Sequence, residues 1–90
     1  MKILTLESFT DYLMRFDSDE VVGIGGDPSK CPLARFFDAY GVWVNLTTCN
    51  DGTYKPKELP EWAQRFVEKT DFLDKEITAK EALEILYNAE

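Results

Sequence analysis

The sequence predicts a small α+β fold, predominantly helical, in which four short helices pack with one β-hairpin. Three observations carry this expectation. Four segments repeat their apolar residues at helical spacing, each with a start signal ahead of it. One stretch, Val42 to Thr48, changes to period two and is followed by the turn signal Asn50-Asp51-Gly52. Finally, 44% of the 90 residues are hydrophobic, with six Phe, four Tyr and two Trp, which suffices for one aromatic-rich core. A chain of this length is expected to form a single compact domain over residues 1–90.

The first helix is expected over residues 5–16, because Leu6, Phe9, Leu13 and Phe16 fall on one helical face. Thr5 is its N-cap candidate, and Glu7 and Asp11 sit toward the end that favours acids. Asp17-Ser18-Asp19-Glu20 breaks the pattern and reads as a solvated loop. Val21-Val22-Gly23-Ile24 is either a brief strand or a buried extended segment. Gly25-Gly26-Asp27-Pro28 then turns the chain.

A second helix is expected from about Lys30 to Tyr40. Ser29 is its N-cap, Pro32 sits in its first turn, and Leu33, Phe36, Phe37 and Tyr40 form its apolar stripe. Gly41 suits the position that ends it. The hairpin follows, with strands near residues 42–48 and 53–55. Val42, Val44 and Leu46 share one face of its first strand, and Trp43 lies on the other. The third helix starts at Pro60 and runs to about Thr70 with Leu59, Trp62, Ala63, Phe66 and Val67 inward. Residues 71–77 read as a connector anchored by Phe72 and Leu73. Thr78-Ala79-Lys80-Glu81 is a capping box opening the fourth helix, with Ile77 and Ala82 at staple positions.

Composition excludes several kinds of function. Ten basic against seventeen acidic residues leave a net charge of −7, which repels nucleic acid and favours a basic partner. The absence of histidine removes Ser-His-Asp and Cys-His catalysis and the commonest metal ligand. Two cysteines fall short of a thiolate zinc site, and no cofactor motif or metal site is expected. No run reaches the roughly 18 apolar residues of a membrane helix. The opening MKILTLESF lacks the features of a signal peptide, so the expected location is cytoplasmic, with both thiols reduced.

The remaining candidates are few. Cys31 near a helix start, with Lys30 and Arg35 close in sequence, suggests a reactive or redox thiol. The plain alternative is a small buried apolar residue. The bend containing Gly25, Gly26, Ser29 and Lys30 suggests a small-anion site, although Ser29 precedes Lys30 and Asp27 adds a negative charge, unlike a nucleotide loop. Asp17, Asp19 and Glu20 offer an acidic hook for a basic partner, and Trp43 with Tyr54 offers an aromatic patch. The carboxylate pairs Asp71/Asp74 and Asp17/Asp19 lack calcium-loop spacing and read as solvated surface. Together these favour a small acidic protein-interaction module, an inhibitor or adaptor, monomeric or a small homo-oligomer. A thiol-dependent enzyme or sensor using Cys31 and an anion-binding domain stand as alternatives.

Overall fold

The computed structural model describes residues 4–37, 42–50 and 56–88. Among them the fold is α+β. In order, the elements are α1 (Leu6–Leu13), β1 (Val21–Ile24), α2 (Pro32–Phe37), β2 (Trp43–Val44), β3 (Thr48–Asn50), β4 (Lys57–Glu58), α3 (Glu61–Leu73), β5 (Glu76–Thr78) and α4 (Ala79–Asn88). The strands form two small antiparallel sheets, β1-β5 and β2-β3-β4.

α1 begins just after Thr5, which is extended (φ −128°, ψ 161°) and caps the helix. The Ser8 N–H donates to Thr5 Oγ1 at 3.0 Å, and the Thr5 N–H donates to Ser8 Oγ at 2.9 Å. This is a reciprocal cap closed by serine rather than the usual Glu or Gln. The helix ends at Leu13, short of Phe16. The chain then tightens, with the Arg15 N–H on Tyr12 O and the Phe16 N–H on Leu13 O. The following acidic loop is pinned from the other end of the chain. The Ala79 N–H donates to Glu20 O at 2.9 Å and the Lys80 N–H to Ser18 O at 3.0 Å, so the loop carbonyls absorb donors that α4 cannot satisfy internally.

β1 pairs with β5 around a register shift between Val21 and Gly23. The shift breaks strict alternation, so Val22 and Gly23 are buried in succession. β5 overlaps the end of the stretch expected to be a plain connector, residues 71–77, and the Thr78 cap. Its three residues gain a partner only because Val21–Ile24 returns alongside them.

α2 starts later than its sequence suggests. Pro32 is its first residue, where a missing N–H costs nothing, and Cys31 immediately precedes it. Ser29 does not cap the helix. Its N–H and hydroxyl both donate to Asp27 Oδ1, at 3.0 and 2.9 Å, which fastens the bend instead. The expected end of this helix, Asp38–Tyr40 and Gly41, lies outside the described residues.

The expected strand over 42–48 is divided. Trp43 pairs with Asn50 and Val44 with Cys49, and the Asn45 N–H donates to Thr48 O at 2.8 Å. Leu46 and Thr47 therefore form the tip of a tight β2-β3 hairpin. β3 then pairs with β4, Thr48 opposite Glu58 and Cys49 opposite Lys57. The Asp51-Gly52 signal and the expected strand 53–55 lie in the intervening chain, outside the described residues.

α3 continues to Leu73, one turn further than expected. Asp74 closes it in the left-handed region (φ 47°, ψ 50°), its N–H on Thr70 O. The capping box of α4 is present: the Glu81 N–H donates to Thr78 Oγ1 and the Thr78 N–H to Glu81 Oε1, each at 3.2 Å. Ile77 and Ala82, on either side of the cap, are fully buried.

One core cluster draws on all four helices and on β1, β2, β3 and β5. Phe9 is its hub. Phe36 and Phe66 meet it edge-on at ring-centroid distances of 5.6 and 5.2 Å, while Trp62 and Tyr12 stack on it at 6.0 and 6.2 Å. Both arrangements suit the aromatic quadrupole and add to the area that each ring buries.

Candidate functional site

The glycine bend is spent on the fold. The Gly25 N–H donates to Lys75 O at 2.8 Å, and the Gly26 N–H to Asp71 Oδ1 at 3.1 Å. The Lys30 and Cys31 N–H groups donate to Asp27 O. Gly26 adopts φ +86°, and a Cβ on Gly25 would stand 2.0 Å from Thr70 O, so both positions require glycine. The donors that would hold an anion are thus occupied by the protein's own carbonyls and carboxylates. Asp27 sits where an anion would, and the Ser29 N–H and hydroxyl hold its carboxyl below the ordinary value of 3.8. Lys30 and Ser29 are exposed at the rim of the bend.

Cys31 is 2% exposed. The N–H groups of Leu33 and Ala34 face its sulfur and favour a thiolate, but burial dominates, and the nearby Asp71 and Asp27 oppose ionisation further. The thiol is pushed up to about 11 from 9.0. That is the opposite of what a nucleophilic or redox-sensing thiol needs at neutral pH. Cys49 is buried opposite Val44.

Asp17, Asp19 and Glu20 are exposed on the loop that the N-terminal turn of α4 fastens. Trp43 is half-buried at the start of β2, opposite Asn50. Tyr54 lies outside the described residues. The acidic loop thus belongs to the junction with α4 and Trp43 to the β2-β3-β4 sheet.

A different face gathers the exposed apolar side chains. A groove of about 660 Å³ lies between the C-terminal half of α3, the middle of α4 and the β2-β3 hairpin tip. Leu46, Phe72, Leu73 and Ile85 give it its apolar lining, and Glu68, Lys69 and Asp71 line it as well. Phe72 is 89% exposed, Leu46 52% and Leu73 40%. A second, smaller hollow of about 350 Å³ lies between Leu6 and Thr10 of α1 and Leu83, Leu86 and Tyr87 of α4. Among the described residues, no cluster of His, Cys, Asp and Glu could hold a metal ion, and no helix is long and apolar enough to cross a membrane.

The chain matches no protein-family model, no curated protein and no solved structure. The case for a site therefore rests on its own geometry.

The spacing predicts Phe72 and Leu73 as anchors of a connector and Leu46 on one strand face with the buried Val42 and Val44. Both expectations fail for local reasons. Once α3 continues past Thr70, Phe72 falls seven residues after Arg65 and eleven after Glu61, on the charged outer face. Once the chain reverses at Leu46-Thr47, Leu46 leaves the face that it shares in sequence with Val44. The usable signal is the helical spacing from Glu61 through Arg65 and Glu68 to Phe72, which places a large aromatic among charges.

Proposed function

We propose that this chain is a small, non-catalytic protein-interaction module that binds a partner with a basic surface, acting as an adaptor or inhibitor. The observation that carries the reading is Phe72, 89% exposed beside Leu46 and Leu73 on a groove of about 660 Å³, in a chain of net charge −7. A contiguous exposed apolar patch rimmed by charge is the usual mark of a protein contact, and an exposed aromatic is the residue type that dominates contact energies. The negative charge speeds encounter with a cationic partner. We place the module in the cytoplasm, where both thiols stay reduced.

The test is capture from the native cell with two baits, the natural chain and Phe72→Ser, each at low and at moderate ionic strength. Phe72 is exposed, so the variant is expected to retain its unfolding midpoint. A partner retained by the natural chain should be lost with Phe72→Ser and weakened by salt. Identical retention on both baits removes the reading.

A further inference from the structure

We infer that the groove between α3, α4 and the hairpin tip receives an amphipathic helix of a partner protein, with Lys or Arg flanking its apolar stripe. This rests on reading the chain as an interaction module and adds the chemistry of the occupant.

The groove is walled by two helices and a closed hairpin tip. None of the described lining residues belongs to a strand, so the groove offers no sheet edge; the hairpin closes through the Asn45 N–H on Thr48 O, and the last-turn carbonyls of α3 beyond Thr70 are left to a donor. The Leu59 N–H already takes Thr47 O at 2.8 Å. The walls therefore present chiefly side chains. An extended peptide lying there would find no sheet edge and would bury backbone groups without partners. A helix satisfies its own backbone and offers side chains at i, i+3 or i+4 and i+7 to an apolar trough.

Charge favours a cationic occupant. α3 has no basic residue in its last turn, so the negative end of its dipole is uncompensated. That same turn carries Asp71, and Asp74 follows it immediately. Glu68 lies one turn earlier on the groove wall. The nearby cation Lys75 is already engaged with Glu81. Among the described lining residues Lys69 is basic against the two carboxylates Glu68 and Asp71, and Asp71 also accepts the Gly26 N–H at the bend. A cation on the occupant, beside an apolar residue packed on Phe72, meets this end of α3. A second copy of this chain would bring another net charge of −7 to the same place.

The experiment titrates the full chain, isotope-labelled for NMR, with designed peptides of about 14 residues, roughly four helical turns. One has a Leu stripe at helical spacing with Lys elsewhere. A second replaces Lys with Glu, and a third has the Leu/Lys composition in strict alternation. The basic helical peptide is expected to shift the amides of Leu46, Phe72, Leu73 and Ile85 saturably. Phe72→Ser should weaken it about thirtyfold or more, the scale of a hot-spot aromatic, and the acidic peptide should leave those amides unmoved. The inference is overturned if the alternating peptide binds the groove as well as the helical one, or if Phe72→Ser binds as tightly as the natural chain, which marks a contact by charge alone. It is equally overturned if sedimentation shows a dimer of the natural chain that Phe72→Ser dissolves, since a second copy then fills the groove. Should the basic helix fail while a native partner is still captured in a Phe72-dependent way, this inference falls and the interaction reading stands.

Discussion

At the scale of single residues, Cys31 shows how position and environment can point in opposite directions. Its place before a helix that begins with Pro32 suggests a stabilised thiolate, and the Leu33 and Ala34 N–H groups do face it. Burial beneath the glycine bend outweighs them. The consequence for stability has a definite sign. The unfolded thiol ionises near 9.0 and the folded one near 11, so the folded chain holds the proton more tightly. The stabilisation is fully present below the unfolded value and is lost as pH rises through the folded one. Two pH units of difference correspond to about 2–3 kcal/mol. Unfolding free energies from denaturant titrations should therefore fall more steeply for the natural chain than for Cys31→Ala between pH 9 and 11, by up to about 1.4 kcal/mol per pH unit. Equal slopes, or rapid alkylation of Cys31 in the folded chain at pH 8, would mean that the thiol is open to solvent. Nothing in one-dimensional spacing separates these outcomes, because the groups that bury Cys31 arrive from β1, α3 and the bend.

At the scale of elements, the clearest sequence signals are those in which both partners lie within one turn. The Thr78–Glu81 box is such a case, and its two reciprocal bonds form as the spacing implies. Lys75 adds an ion pair to the same Glu81, and its ammonium with the Thr78 N–H holds that carboxyl below the ordinary 4.5. What Glu81 contributes is thus present above the ordinary carboxylate value and lost as pH falls through the lowered folded value. Replacing Thr78 with Ala should cost about 1 kcal/mol, read from the denaturant midpoint at neutral pH. A neutral effect would mean that the β1-β5 pairing alone holds the start of α4. The illegible elements share a different physical cause. The hairpin tip at Leu46-Thr47 turns without any residue at positive φ, so no Gly or Asn-Gly marks it. The end of α3 falls at Asp74, a non-glycine residue in the left-handed region, and so α3 looks shorter in sequence than it is. Those two endings produce the groove. The late end of α3 and the early reversal after Val44 thus share one cause, whereas Phe9, Leu13, Leu33, Phe36, Ala63 and Phe66, set by helical spacing, are buried as that spacing implies.

At the scale of the whole molecule, the same excess of acid acts on two equilibria in opposite directions. The ion pairs of Arg65 with Glu61 and of Lys75 with Glu81 both lie at the surface. Such pairs contribute little, and salt screens them. The net charge of −7 is a sum over the whole surface and opposes compaction. Raising ionic strength from about 10 mM to about 150 mM shortens the Debye length from about 30 Å to about 8 Å, and so removes mostly the long-range repulsion. The isolated chain should therefore become more stable in sodium chloride over that range. A gain of about 0.5 kcal/mol would raise the thermal midpoint by roughly 2–4 °C. Binding of a cationic partner should weaken over the same range, because that attraction is screened by the same ions. Measuring both on one sample separates the two sources of charge effect. A midpoint that falls with salt would mean that the surface pairs outweigh the net repulsion. A midpoint that rises while affinity stays constant would confine the contact to Phe72, Leu46 and Leu73 and remove charge from recognition.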